Sequence, residues 1–242
     1  MRAAHPPAAP APRRGPGRPR GPSQAPQLRE RLLVEASRLY ADGGSAGLSF
    51  GLLAARTGLK KATVFHYFPT KTALLWAIFQ RLGEALEAAA AGWLAPVASR
   101  RPASHAQRLE RLIESLVDFY GADPLNARIL CQGLLETERL AAAGVAGGAA
   151  EPIFGAFVRR FAAFIEAGIR AGEFHPDRPL ATIMSVGGLI LFEFMLPPDA
   201  RLVVGGGVPL AERKREMVTV VRRAVVRPAT RLRAPTRRRG RR

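Results

Sequence analysis

Residues 49–71 have the sequence SFGLLAARTGLKKATVFHYFPTK, which predicts two short helices on either side of a glycine turn. Gly58 falls at the turn, where a positive φ is easily adopted only by a residue without a Cβ. Leu53 and Leu59 are apolar on the two sides of the turn, and Ala54 is small where two crossing helices must approach closely. The pattern is typical of a helix-turn-helix unit, and an ordinary corner between two solvated helices is the alternative.

The second helix of this unit has one apolar face and one face rich in hydrogen-bond donors. Val64 and Phe68 continue the apolar face. The outward face carries Lys60, Lys61, Thr63, His66 and Tyr67. Because such side chains bind phosphates and base edges, we expect this helix to contact DNA. For His66 the alternative is an ordinary surface histidine.

The run GLKKATVFHYFPTKTALL, residues 58–75, resembles the TetR (tetracycline-repressor-like) family of bacterial transcriptional regulators. In that family an aromatic-rich helix end precedes Pro or Gly, a small polar residue and Lys, and residues 65–71 here read FHYFPTK. The resemblance is strong over residues 28–82. It implies an all-α chain with a three-helix helix-turn-helix domain, followed by a helical domain for effector binding and dimerisation.

Individual DNA contacts are also implied by the resemblance. Residues matching Thr63, His66 and Tyr67 usually contact bases or phosphates in the family, and the lysine matching Lys71 usually contacts a phosphate. The complete set predicted for this domain is Ser49, Lys60, Lys61, Thr63, Phe65, His66, Tyr67 and Lys71.

Three positions depart from the family pattern and bear on the operator sequence. Leu52 stands where an acidic residue is common, and Ala62 stands where glycine is frequent. Lys60 replaces a frequent serine N-cap, which removes roughly 1 kcal/mol of local support from the recognition helix but adds positive charge to its DNA-binding face.

Charge is unevenly distributed along the 242 residues, whose net charge is +18. Residues 1–27 contain five arginines and no acid, and residues 222–242 contain ten arginines and no acid. Residues 28–82 hold eight basic and three acidic groups, whereas residues 83–221 are close to neutral. A basic module joined to a nearly neutral body is the charge distribution expected of a DNA-binding protein with a separate second function.

Four segments are predicted along the chain. Residues 1–27 form a disordered basic arm, residues 28–82 the helix-turn-helix domain, residues 83–226 the effector-binding and dimerisation domain, and residues 227–242 a disordered Arg-rich tail. Arg18 and Arg20 lie in a run that resembles half of an AT-hook, a minor-groove binder. The alternative is a tail with only non-specific affinity for phosphate.

Two helices near the end of the chain are predicted to form the dimer interface. The helix at 178–196 is apolar nearly all round, so every side of it must be covered. Small residues in that helix would let a partner helix approach, and the helix at 209–226 carries an apolar stripe. The predicted interface residues are Ala181, Ser185, Gly188, Phe192, Met217 and Val221. A four-helix dimer interface, which the resemblance implies, competes with burial inside one protomer.

An effector pocket is predicted between residues 94 and 174. Phenylalanines repeat there at helical spacing, and such a stripe either packs in the core or lines an apolar cavity. The predicted pocket residues are Phe119, Tyr120, Cys131, Gln132, Phe154, Phe157 and Phe161. Few charges fall on these faces, so we expect a lipophilic small molecule.

Enzymatic functions have little support in the sequence. It contains no nucleophile elbow, phosphate loop or dinucleotide fingerprint, and we expect no cofactor and no metal site. The single Cys131 excludes an internal disulfide and suits a reducing cytosol. The uncharged residues 179–192 are fewer than the roughly 20 that a membrane-spanning helix needs.

These observations predict a cytoplasmic, dimeric transcriptional regulator, most simply a repressor that binds palindromic double-stranded DNA and is released by a small molecule. An architectural protein that binds nucleic acid through its arginine-rich ends is the alternative.

Overall fold

A computed structural model describes residues 24–94, 103–136, 139, 142, 155–176, 178–196 and 207–228. The helices in these ranges are α1 Gln24–Gly47, α2 Phe50–Thr57, α3 Lys61–Tyr67, α4 Lys71–Leu94, α5 His105–Ala122, α6 Leu125–Leu135, α7 Gly155–Arg170, α8 Pro179–Met195 and α9 Leu210–Val225. The described ranges contain one isolated antiparallel bridge, between Phe174 and Val226, and otherwise only helices and turns. The predicted all-α fold is confirmed.

The first helix begins inside the segment predicted to be a disordered arm, residues 1–27. It starts at Gln24 rather than near residue 28, and Pro26 lies in its first turn, where a missing N–H costs little. Its helical geometry is interrupted at Gly43 and at Gly44, which has φ +58. The two glycines therefore end the regular helix and direct the chain towards α2.

The turn between α2 and α3 has the predicted glycine geometry. Gly58 adopts φ +68 and ends α2 as its left-handed cap, and Leu59 donates its N–H to the Ala54 carbonyl at 2.9 Å. At the other end of α2, Ser49 Oγ accepts a hydrogen bond from the Leu52 N–H at 3.1 Å. Capping at both ends fixes a helix of only eight residues.

Two apolar cores lie along the molecule. The first contains buried side chains of α1–α4 and Ile129 of α6, and the second contains those of α5–α9 with the far end of α4. The cores change over between Leu82 and Leu86 of α4, beside the boundary predicted at residue 82. Phe119 and Leu130 pack against both cores. Helix α6 and its neighbours therefore connect the helix-turn-helix to the rest of the protein.

Candidate nucleic-acid interface

The outward face of α3 is accessible to solvent. Lys60, Lys61, Phe65, His66 and Lys71 are exposed, and Thr63 and Tyr67 are half-buried. Val64 and Phe68 are almost completely buried in the first core. The predicted division into an anchoring face and an accessible face is therefore present, although Thr63 and Tyr67 lie at its edge.

Aromatic contacts hold the accessible face in place. The rings of Phe50 and Phe65 meet edge to face with centroids 4.6 Å apart, and Lys61 Nζ lies 5.7 Å from the centroid of Phe65. Phe65 thus connects α2 with α3 and also favours a defined position for the Lys61 ammonium group.

Arg29 is a cation beside this face that the sequence analysis missed. Its guanidinium carbon lies 5.2 Å from the centroid of the Phe68 ring, so α1 places an exposed positive charge next to the end of α3. The proximity of Arg29 and Phe68 depends on how α1 crosses the helix-turn-helix, which local spacing does not reveal.

Of the remaining predicted DNA-binding residues, the structure describes Ser49 but not the two N-terminal arginines. Ser49 is exposed, and its oxygen caps α2 while its hydroxyl proton remains able to donate to a phosphate. Arg18 and Arg20 lie outside the described residues.

The predicted effector residues are spread over two environments. Tyr120 and Phe161 are buried in the second core, whereas Phe119, Cys131 and Phe157 are half-buried. Phe119 and Tyr120 have ring centroids 4.9 Å apart, and Phe157 and Phe161 have centroids 6.1 Å apart. Gln132 lies elsewhere, beside the kink of α1 at Gly44, and Phe154 is outside the described residues.

Burial controls the ionisation of two of these side chains. It raises the pKa of Tyr120 above its ordinary value, and the nearby Cys131 raises it further. Burial also raises the pKa of the Cys131 thiol. Both shifts favour the uncharged form of the side chain.

The predicted dimer residues divide between surface and core. Ala181, Ser185 and Gly188 are exposed on α8, and Phe192 is 64% exposed. Met217 and Val221 of α9 are instead buried within the second core of the protomer. This burial corrects the prediction for the two α9 residues, because their own protomer already covers them.

The carboxylate of Glu173 has hydrogen-bond partners on α5. Glu173 accepts a hydrogen bond from the Ala106 N–H at 3.1 Å and lies 2.8 Å from His105 Nδ1. Burial favours a higher pKa for Glu173, but the hydrogen bonds from His105 and from backbone N–H groups outweigh it and lower the pKa. Among the described residues, no group of three or more His, Cys, Asp or Glu side chains could hold a metal ion.

In the described ranges, no helix is both long and apolar enough to cross a bilayer. Helix α3 is exposed, follows a capped α2 across a left-handed glycine and packs on an all-helical body. This arrangement is that of the helix-turn-helix transcriptional regulators.

Comparison with known proteins identifies the family. Residues 32–78 match the family described as bacterial regulatory proteins, tetR family. These residues run from α1 into α4 and include all of α2 and α3. The helix-turn-helix part of the chain therefore belongs to the TetR family of transcriptional regulators.

A longer part of the chain is similar to a curated transcriptional regulator. The chain is 28% identical over 141 residues to the HTH-type transcriptional activator FasR of Mycolicibacterium smegmatis, a match to 56% of this chain and 62% of FasR. The matched part is thus less than two thirds of that relative's length.

Two solved structures share the fold at low sequence identity. The ketosteroid transcriptional regulator KstR2 of Mycobacterium tuberculosis matches with a TM-score of 0.61 and 17% identity over 83% of this chain and 96% of KstR2. The fatty acid degradation regulator FadR of Bacillus halodurans matches with a TM-score of 0.57 and 14% identity over 84% of this chain and 96% of FadR. These matched proteins are transcriptional regulators by name.

Proposed function

We propose that this chain is a cytoplasmic, homodimeric repressor that binds a palindromic operator through α3 and is released by a small lipophilic effector. The observation that carries the proposal is the exposed face of α3, held rigidly by buried Val64 and Phe68. A short, anchored helix with exposed donors fits the major groove of DNA.

The DNA contacts are divided by their position on the helix-turn-helix. Lys61 and Thr63, in the first turn of α3, contact base edges, because recognition helices insert their N-terminal residues into the groove. His66 and Tyr67 lie near the other end and contact phosphates. Lys71 begins α4, where the helix dipole adds to its positive charge in binding a phosphate.

Homodimerisation is proposed from the exposed apolar face of α8. Leu180, Met184 and Phe192 are each more than 60% exposed, and Ala181, Ser185 and Gly188 are exposed small residues on the same helix. Apolar surface concentrated on one helix marks an interaction site, and a second copy would cover it isologously. The two copies of α3 would then bind half-sites about 34 Å apart, or a multiple of that distance.

A lipophilic effector is proposed from the aromatic character of the second core. Tyr120 and Phe161 are buried there, and Phe157 is half-buried beside Phe161. The names of KstR2 and FadR refer to ketosteroids and to fatty acid degradation. Ketosteroids and fatty acids are both lipophilic molecules. Binding among these rings would displace α4 and separate the recognition helices of the dimer.

Repression and activation make different demands on the protein. A repressor needs only to occupy a promoter, whereas an activator must also contact the transcription machinery. Activation is the second candidate function, favoured by the match to the activator FasR. A reporter gene under the selected promoter distinguishes them: deletion of this chain's gene raises expression if it is a repressor and lowers expression if it is an activator.

Selection of genomic DNA fragments tests the DNA-binding function. The full chain should enrich fragments that share a palindrome, and the double substitution Lys61→Ala/Thr63→Ala should abolish the preference. Arg215→Ala is the matched control, since it removes an exposed cation from α9. Enrichment unaffected by the α3 substitutions would contradict the proposal.

The same selection distinguishes the architectural alternative. Replacing the arginines of residues 1–27 and 227–242 with glutamine should weaken binding to all DNA while leaving the sequence preference intact, because phosphate contacts carry no direct sequence information. An architectural protein would lose nearly all its affinity in that variant and would show no palindrome.

A further inference from the structure

The turn between α1 and α2 is held by a carboxylate from the end of α6. Glu136 follows the last residue of α6, and its side chain is only 12% exposed. The Ser45 backbone N–H donates to its two oxygens, Oε1 at 3.1 Å and Oε2 at 3.0 Å. Ser45 Oγ donates to Oε1 at 3.0 Å, and the Tyr40 hydroxyl donates to Oε2 at 3.1 Å.

These partners lie 91 and 96 residues away from Glu136 in sequence. Tyr40 is buried in the first core and Ser45 is almost fully buried. Hydrogen bonds from buried groups to a carboxylate are among the stronger ones in proteins, and their loss leaves buried donors unsatisfied. The end of α6 therefore has a strong polar connection to the turn that precedes α2.

Gly44 permits the close approach of this carboxylate. It adopts φ +58, and a Cβ placed on it would lie 2.7 Å from Glu136 Oε1. Any larger residue at position 44 would both strain the backbone and push the carboxylate away from Ser45. Gly44, Ser45 and Glu136 thus form one unit, here termed the turn clamp.

The turn clamp lies directly before the helix-turn-helix. Only Ala46, Gly47 and Leu48 separate Ser45 from Ser49, the N-cap of α2. Leu48 is buried in the first core, so the chain is fixed at both ends of this short connection. Movement of Ser45 would consequently change where α2 begins and, through the Phe50–Phe65 contact, where α3 lies.

A second polar contact joins the same two helices but differs in its surroundings. Arg128 of α6 lies 2.7 Å from Asp42 of α1, with side chains 46% and 56% exposed. Exposed ion pairs of this kind contribute little free energy. The buried turn clamp is therefore expected to hold α1 to α6 more strongly than this exposed ion pair does.

We propose that Glu136 is a positioning residue for DNA binding, which fixes the orientation of the helix-turn-helix by holding Ser45. Its effect on DNA rests on the proposed function, whereas its effect on the turn does not. Ile129 of α6 is buried in the first core, and Cys131 of α6 interacts electrostatically with Tyr120 of the second core. A displacement of the α6 end would therefore change the positions of α2 and α3 through this carboxylate.

Hydrogen–deuterium exchange of the full chain, without DNA, tests the clamp directly. In Glu136→Ala the Ser45 amide should exchange at least about tenfold faster, and α2 and α3 should lose protection, while α9 is unchanged. Glu136→Gln keeps one acceptor oxygen and should restore part of the protection. Asp42→Asn is the control and should exchange like the wild type. Unchanged exchange at Ser45 in Glu136→Ala, or an equal loss in every helix, would overturn the proposal.

Binding to a DNA fragment selected by the wild-type chain supplies the second measurement. Affinity should fall by about tenfold in Glu136→Ala, by less in Glu136→Gln, and not measurably in Asp42→Asn. Local loss of protection with full DNA affinity would overturn the positioning role. If the wild type selects no DNA, the proposed function fails, while the exchange experiment still decides whether the clamp exists.

A double-mutant cycle checks that Gly44 belongs to the same unit. Gly44→Ala should destabilise the wild type more than it destabilises Glu136→Ala, because the clash with Oε1 is absent in the second background and only the backbone strain remains. Equal destabilisation in both backgrounds, measured by chemical denaturation, would contradict the geometry of the clamp.

Discussion

At the scale of the residue, the recognition helix begins at a position poorly suited to start a helix. Lys60 has an extended backbone with φ −74 and ψ 142, and within this described segment its side chain makes no capping hydrogen bond. The Thr63 N–H is instead bonded to the Lys60 carbonyl at 2.9 Å. The sequence predicted this missing cap, since only a short polar side chain can reach back to the first N–H groups. Lys60 therefore leaves α3 without a side-chain cap but adds a positive charge to the exposed surface at its start.

Lys60→Ser should stabilise the protein by about 1 kcal/mol, because serine supplies the missing capping oxygen. Lys60→Ala is the matched variant, since it removes the charge without supplying a cap. Thermal unfolding of the two variants isolates the capping contribution. Equal stability of the serine and alanine variants would show that a side-chain cap does not stabilise α3.

Lys71→Ala should weaken binding to all DNA sequences alike, because its exposed ammonium group is proposed to contact a phosphate rather than a base. The plot of log K against log salt concentration should become less steep by about one for each lost contact. Titration of a labelled fragment at several salt concentrations measures this slope, with Arg215→Ala as the control. An unchanged slope and affinity would remove Lys71 from the interface.

At the scale of the element, helix packing depends on close approaches that apolar spacing does not specify. Gly168 of α7 faces the ring of Phe174, a residue in the turn before α8 that is 1% exposed. A Cβ at position 168 would overlap that ring. The turn is also bonded to the end of α9, because His175 donates its N–H to the Val225 carbonyl at 2.9 Å. Gly168 thus allows α7, this turn and α9 to meet.

Gly168→Ala should destabilise the protein by about 2 kcal/mol, because the buried Phe174 ring must move to accommodate the new methyl group. Gly51→Ala is the matched control: position 51 is exposed in α2, and a Cβ there has no heavy atom within 4 Å. Chemical denaturation of both variants measures the difference. A Gly168→Ala variant as stable as the Gly51→Ala variant would contradict the tight packing at α7.

The helices were largely predictable from the sequence, whereas the contacts between them were not. Glycines at positions 43, 44 and 58 ended helices where local chemistry predicts, because their backbone preferences act within a few residues. The apolar stripe containing Met217 and Val221 shows that α9 has a buried face, but periodicity does not tell whether the same protomer or a partner covers it. Arg29 and Glu136 act across long sequence separations and require the tertiary fold.

At the scale of the whole molecule, α8 has an apolar surface that the other described residues leave exposed. Thr182, Val186 and Ile190 face the protomer core, while Leu180, Met184 and Phe192 are exposed. The helix is therefore apolar all round, as its sequence indicates, but within the described ranges only one side of it is buried. The tertiary fold thereby locates the proposed interface on α8 more narrowly than the sequence did.

Met184→Arg/Phe192→Arg should convert the proposed dimer to a monomer, because each substitution places a charge in the apolar interface. Trp76→Arg is the control, since Trp76 is a similarly exposed apolar residue on α4. Analytical ultracentrifugation at micromolar protein concentration compares the three chains. A wild type that is monomeric under these conditions would contradict dimerisation through α8.

The proposed contact between the exposed face of α3 and bases in the major groove can be tested with a hydroxyl-radical footprint on a selected genomic fragment. The full chain should protect two symmetric half-sites whose centres are about 34–36 Å apart, or a multiple of that distance. Lys61→Ala/Thr63→Ala should lose both protected regions, while Arg215→Ala keeps them. Uniform protection along the fragment, or half-sites that persist after the α3 substitutions, would contradict the claim.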